Sequence, residues 1–305
     1  MSLSESEFRS FVSKLGEDFS LSQGLGGNCS YKTESTLHVK ASGKRMADAD
    51  EESFFYALTR TLNGFIDNLP GQTGKASIEV HFHSSLKQKY VLHLHSLSSL
   101  AASLLGSIDK NIFESLEHHG IWVVPYKRPG LPLMQAILDR GVHSEEVMYL
   151  LQNHGLIVGA DSLDELSSLV YKCEKVFLDL FGPGISWIGP QDMQARIPSG
   201  LAETVAWHAQ WNWAISPDHV VFLGAKPNRD LVFGLSKVKT VGDLYSLVSR
   251  GGAIDSSRFE QLLAFVNIMR HLPRVKFSTL SESDCVDLIN WSEEEHRIEI
   301  ASRGT

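Results

Sequence analysis

Apolar residues recur at spacings of three and four at the start of the chain. Phe8, Phe11, Val12 and Leu15 line one side of a helix predicted over residues 4–16. A glycine-rich stretch follows, Gly24-Leu-Gly-Gly-Asn-Cys-Ser-Tyr-Lys, and then Thr36-Leu-His-Val-Lys-Ala alternates like a strand and breaks at Ser42-Gly43. Residues 51–66 predict a second amphipathic helix. Ser77-Ile-Glu-Val-His-Phe-His-Ser-Ser-Leu reads as a helix start, and Tyr90-Val-Leu-His-Leu-His as a short buried strand. Ser96 is placed to cap the helix after that strand. Ile121-Trp-Val-Val-Pro predicts another strand. The run from Val147 to Gly159 is too apolar and too broken by glycine for one helix. It predicts two strands around a turn at Asn153-His154-Gly155, and residues 161–181 then form a long helix.

Past Phe181 the composition shifts, with Gly182-Pro-Gly and Ile188-Gly-Pro reading as a linker. Trp207, Trp211 and Trp213 are read as packing residues of a core or interface. Val220-Val-Phe-Leu predicts a strand, and residues 257–270 and 281–290 predict helices. The expected organisation is a larger α/β domain over residues 1–185 and a smaller α/β region over 186–305. No internal repeat or low-complexity tract is evident.

Composition narrows the classes. The chain has 305 residues, 43% hydrophobic and 21% charged, which excludes a disordered chain, a coiled coil and a collagen-like repeat. Its formal charge is −8 with acids and bases interspersed, so no basic face advertises a nucleic-acid partner. No apolar run reaches the ~18 residues of a membrane helix, and the first residues are acidic where a secretory signal would be basic. The expectation is a soluble cytoplasmic protein. Cys29, Cys173 and Cys285 are far apart and odd in number, as reduced thiols would be.

Thirteen histidines, several clustered, point to where chemistry lies. In a strand, His93 and His95 face the same side and can share a metal ion. Alone, such a pair is as readily two packed rings. His154, in a turn between apolar strands, needs a partner because an unpaired polar ring is costly to bury. Glu79 lies at a helix start, where a carboxylate is also favoured simply by the helix terminus. Three imidazoles and one carboxylate would make a tetrahedral set for Zn²⁺ or another divalent transition metal.

Six ordered motifs carry a family resemblance: Gly26-Gly-Asn-Cys-Ser, Lys40-Ala-Ser-Gly, Ser77-Ile-Glu-Val-His-Phe-His, Val91-Leu-His-Leu-His-Ser, Val124-Pro-Tyr and Gln152-Asn-His-Gly-Leu-Ile. Over roughly residues 8–181 the chain resembles the class II aldolase/adducin family, and Pro217-Asp-His-Val-Val and Leu288-Ile-Asn-Trp resemble its longer, two-part members. The resemblance implies an α/β/α sandwich around a central, mainly antiparallel sheet. It implies His93, His95, His154 and Glu79 as metal ligands, with Glu79 leaving the metal to act as the catalytic base. Gly27, Asn28, Ser42, Gly43 and Ser77 resemble the family's phosphate-binding elements, an array of N–H groups, hydroxyls and an amide that donate to an anion. Where the family often has two small hydroxyl residues before the glutamate, this chain has Ser77-Ile78, for which Lys40, Lys44 or Arg45 could compensate.

Tyr126 matches the tyrosine that, in the family, reaches in from the adjacent subunit to protonate the departing aldehyde. His83 is read as structural, supporting the metal ligands, while Lys172 and Glu174 are assigned to an exposed helix face. The implied activity is that of a zinc-dependent lyase of carbohydrate metabolism. It would cleave a ketose phosphate to dihydroxyacetone phosphate and an aldehyde through a metal-stabilised enediolate, with no Schiff-base lysine. Dehydratases, epimerases and decarboxylases of sugar phosphates use the same platform, and adducin-like members are binding modules without the full metal set. The implied partners are a phosphorylated sugar and further copies of the chain, the family's enzymes often being tetramers.

Overall fold

A sheet of eight strands organises the described residues of the computed structural model, which are 3–60, 66–69, 71–72, 74–141, 147–249 and 256–291. In chain order the strands are β1 (Asn28–Lys32), β2 (Thr36–Lys40), β3 (Phe55–Arg60), β4 (Ile66–Asn68), β5 (Tyr90–Leu94), β6 (Trp122–Val124), β7 (Val147–Leu151) and β8 (Gly155–Ala160). Their spatial order is β4-β3-β2-β1-β5-β8-β7-β6. Every pairing is antiparallel except β6 with β7. The expected central, mainly antiparallel sheet is therefore present.

Helices cover both faces. α1 (Leu3–Glu17), α2 (Val80–Ser85), α3 (Leu97–Gly106), α4 (Lys110–His118), α5 (Leu131–Arg140) and α6 (Leu163–Asp179) interleave with the strands. Central β5 is buried at every position, so its two faces read as one apolar run broken only by a histidine. Leu92 and Leu94 pack with Phe8 and Val12 of α1 and with Leu166, Leu169 and Val170 of α6. Val91 packs on the opposite face with Phe82 and Leu86 near α2 and with Leu133 and Ile137 of α5. His93 follows Val91 by two residues, so it belongs to that second face.

Residues 51–66 do not form the predicted helix. Phe55–Arg60 is β3, paired along β2 from Lys40↔Phe55 to Thr36↔Thr59. The aromatic and β-branched residues of this segment suit a pleated surface, and the neighbouring strand supplies the backbone partners that a helix would have found internally. Residues 61–65 of that prediction lie outside the described residues.

The remainder adds α7 (Ser199–Trp211), α8 (Pro217–Leu223), α9 (Arg229–Leu235), α10 (Val241–Val248), α11 (Ser256–Met269) and α12 (Glu282–Ile289). Among the described residues this region contributes no strand beyond an isolated bridge between Arg196 and Thr240, so the expected α/β extension is helical. Val220–Leu223, read as a strand, lies in α8. There the Ser216 side chain accepts from the His219 N–H and Pro217 opens the first turn, so the Ser-Pro start overrides a β-branched run. Leu97, Leu100, Ala101 and Leu104 of α3 share a hydrophobic cluster with Val205, Leu244, Leu262 and Phe265. The helical region thus packs onto the sheet domain through α3.

One further expectation changes. Glu174 is not on an exposed face of α6, because its carboxylate turns inward to accept from Ser96 Oγ at 2.5 Å and Ser98 Oγ at 2.6 Å. The three cysteines are buried and free. No helix among the described residues is long and apolar enough to cross a membrane.

Candidate metal centre

Three local structures deliver the candidate ligands to one point. β5 carries His93, and His95 comes just beyond the strand on the same face, before Ser96 caps α3 by accepting from the Ser99 N–H. β7 and β8 turn through Asn153, which has a left-handed φ of 53°, a conformation asparagine tolerates better than most residues. Its N–H donates to Ser103 Oγ at 2.8 Å, pinning the turn against α3. The next residue is His154, and a Cβ on Gly155 would collide with the Leu94 carbonyl, so glycine lets the turn lie against β5. Glu79, buried, immediately precedes α2.

The ring nitrogens converge. Nε2 of His93 lies 3.0 Å from Nε2 of His95 and 3.4 Å from Nε2 of His154. Glu79 Oε2 is 3.4 Å from His93 Nε2, and Oε1 is 3.5 Å from His154 Nε2. A tetrahedral ion with bonds of about 2.0–2.1 Å would separate its ligand atoms by roughly 3.3 Å. The His93 tautomer agrees with that geometry. His93 Nδ1 donates to the Leu156 carbonyl at 3.1 Å, which leaves its Nε2 as a lone pair turned toward the cluster, and His95 Nδ1 lies 2.9 Å from Asp218 Oδ2. Burial holds the His93 ring well below the usual histidine range, with nearby His95 adding to the effect, and pushes His154 down to about 3. Both rings are therefore neutral, as metal ligands must be. Glu79 Oε1 has no hydrogen-bond partner among the described residues, although the carboxylate is buried. His93, His95, His154 and Glu79 can together hold a divalent ion.

A second ring of residues fixes the first. Asn28 Nδ2 donates to Glu79 Oε2 at 2.7 Å, and Asn28 Oδ1 meets His83 Nε2, whose Nδ1 contacts Ser30 Oγ at 2.8 Å. The β1–β5 register, Asn28↔His93, is what places this amide beside the cluster. The sequence reading gave no role to Asp218. Its signals were an acid inside an apolar run and the resemblance of Pro217-Asp-His-Val-Val to the longer family members, neither of which points to a metal ligand.

The cluster opens into a cleft. Gly27, Asn28, Ser42, Gly43, Ser77 and Glu79 all line it, joined by Lys40, Ile78, His95, His154 and Asp218. Of the three cations considered near it, Lys40 is the one in the wall, where Nζ donates to the Leu25 carbonyl at 3.2 Å and the Lys44 carbonyl at 2.5 Å. Lys44 pairs instead with Glu51, and Arg45 with Glu260.

Tyr126 is not brought to the cleft. It packs against Ala214, Val220, Leu280, Cys285 and Leu288, and its buried hydroxyl has no hydrogen-bond partner among the described residues. Burial, with Asp284 and Cys285 of α12 nearby, pushes that hydroxyl's proton affinity up. The phenol thus lies against its own chain's α12 and outside this chain's cleft.

The fold and the convergent donors define an α/β protein with a His₃–carboxylate site at the mouth of a polar cleft. Residues 11–178 match the Class II Aldolase and Adducin N-terminal domain, and the chain belongs to that family. It is 30% identical over 130 residues to a 3-oxo-tetronate 4-phosphate decarboxylase of Haemophilus influenzae, covering 37% of this chain and 61% of that protein. A protein of the same name from Escherichia coli is 32% identical over 113 residues, covering 33% of this chain and 53% of that protein. The chain therefore spans between half and three-fifths of the length of these curated relatives. Among solved structures, the N-terminal class II aldolase domain of a conserved Thermoplasma acidophilum protein superposes with a TM-score of 0.50 at 20% identity, covering 59% of this chain and 94% of that one.

Proposed function

We propose that this protein is a zinc-dependent lyase that breaks the bond between the carbons α and β to the carbonyl of a phosphorylated sugar. The preferred reaction is aldol cleavage of a ketose phosphate to dihydroxyacetone phosphate and an aldehyde. The observation that carries the reading is the convergence of His93, His95, His154 and Glu79 in a cleft lined by anion donors. A bound divalent ion supplies Lewis-acid stabilisation for negative charge developing on substrate oxygens. Ser42, Ser77, Asn28 and the backbone at Gly27 and Gly43 receive the phosphate, with the Lys40 ammonium replacing the hydroxyl that Ile78 does not offer. Glu79 moves the proton at the substrate carbon. Asn28, donating to one carboxylate oxygen, aims the other toward the reacting atoms.

Decarboxylation is the second reading, favoured by the names of the two curated relatives. It breaks the same kind of bond and places the same demand on the site, with carbon dioxide leaving in place of an aldehyde. One assay tests both. Activity on sugar phosphates and keto-acid phosphates is measured before chelation, after it, and after Zn²⁺ is restored. Chelator-sensitive, zinc-restored release of an aldehyde supports the aldolase, and release of carbon dioxide supports the decarboxylase. Full activity in stripped protein would sink the metal reading.

A further inference from the structure

The three histidines differ in what holds the nitrogen turned away from the cluster. His93 Nδ1 donates to a backbone carbonyl, that of Leu156. His154 Nδ1 is buried with no hydrogen-bond partner among the described residues. His95 Nδ1 lies 2.9 Å from a carboxylate oxygen, Asp218 Oδ2. That carboxylate is almost wholly buried, at 2% exposure, in the first turn of α8. It therefore comes from outside the segment that matches the family domain. Gly26 closes the arrangement from the other side, since a Cβ there would collide with both Asp218 Oδ2 and His95 Nδ1. Three segments distant in the chain have been fitted around one close imidazole–carboxylate approach.

A carboxylate on the far nitrogen of a ligating imidazole fixes the tautomer, orients the ring and makes the other nitrogen a stronger donor. We propose that Asp218 is a positioning residue of the metal centre, so that the C-terminal helical region completes a site whose ligands all lie in the sheet domain. The inference rests on the metal reading above. It adds that His95 is a tighter ligand than a carbonyl-supported or unsupported histidine. The helical region then contributes to metal retention as well as to packing.

The test uses the full chain with Asp218→Asn, which keeps shape and an acceptor oxygen but removes the charge, and with Asp218→Ala. Zinc affinity is measured by competition with a chromophoric chelator, Co²⁺ is bound to read the ligand field from its visible absorption, and the metal-free melting temperature is followed alongside. Loss of affinity by about 10–100-fold is expected for Asp218→Asn, with more for Asp218→Ala. A shifted Co²⁺ spectrum at unchanged one-to-one stoichiometry should accompany it. Wild-type affinity and spectrum in Asp218→Asn would overturn the proposal. So would a fall in metal-free melting temperature that accounts for all the lost binding while the bound fraction keeps the wild-type spectrum, since that marks packing alone. Failure of the unmutated chain to take up either ion would instead bring down the metal reading itself.

Discussion

Glu79 separates binding from chemistry at the level of a single side chain. Three imidazoles suffice to hold an ion, whereas only the carboxylate can carry a proton to the enediolate carbon, or from it in the reverse direction. Glu79→Gln keeps the size of the group and an acceptor oxygen for Asn28, so zinc stoichiometry should survive while turnover falls about 10²–10⁴-fold. Turnover and metal content measured on the same preparation decide this, and full turnover in Glu79→Gln would remove the assignment. Lys40 supports a second prediction. Its ammonium is buried in the cleft wall, and charge-assisted hydrogen bonds contribute about 1.5–3 kcal/mol. Lys40→Met should therefore raise KM for the phosphorylated substrate by about tenfold or more. An unphosphorylated analogue should be turned over as before, and an equal loss on both substrates would show that Lys40 serves the loop and not the phosphate.

Between elements, the contact with the clearest physical signature is the tie from α6 to the start of α3. The Glu174 carboxylate sits inside the fold with Ser96 and Ser98 as donors, and burial pushes it up to about 7. A carboxyl whose folded pKa lies above its unfolded value binds protons more readily in the native state. Its contribution is thus complete below about pH 4.5 and is lost as pH rises toward 7, a change of at most roughly 3 kcal/mol. Glu174→Gln should gain melting temperature relative to the unmutated chain as pH increases across that window. A difference that stays flat with pH would place the carboxylate in solvent. Glu174 also marks the boundary of what the chain reveals before folding. Periodicity exposed α1, β2, β5, the β7–β8 turn and α6, because each carries its own apolar rhythm and its own stop signal. The ligands His93, His95, His154 and Glu79 were legible because they sit in short motifs within those elements. What stayed hidden depended on partners far along the chain. β3 exists through pairing with β2, and Glu174 turns inward to meet two serines nearly eighty positions earlier. Asp218 has meaning only once α8 lies over His95. Tyr126, a motif residue, lies outside this chain's own cleft and against α12, so any part it plays belongs to the site of a neighbouring copy.

Taken whole, the molecule is a sheet domain whose cleft is walled on one side by helices that follow it in the chain. Besides Asp218, Glu260 of α11 accepts from the Gly24 N–H at 2.6 Å and pairs with Arg45 at 2.8 Å, holding the glycine-rich loop. Asn153, beside His154, donates to the carbonyls of Ile215 and Ser278. The site is therefore as durable as the helical layer that grips it. That layer has an acid weakness in two buried rings. His219 lies between Trp213 and Phe265, and burial pushes it down to about 3. His208 stacks on Phe277, and burial together with the nearby Arg274 pushes it down to about 4. Both are neutral in the fold, whereas in the unfolded chain they take up a proton near pH 6.5. Their contribution is present above that value and drains away as pH falls toward 4 and then 3, the reverse of Glu174. Neither ring nitrogen of His219 has a hydrogen-bond partner among the described residues, so Phe in its place would leave no orphaned polar group there. His219→Phe should melt close to the unmutated chain at pH 7.5 and progressively above it below pH 6.5, reaching a gain of some degrees by pH 4.5. Paired melts across that range, both proteins metal-free, isolate the effect from ligand binding. A variant that melts lower at every pH would mean that His219 is held by its shape among the aromatic rings, and that the acid weakness of the layer must be sought in His208.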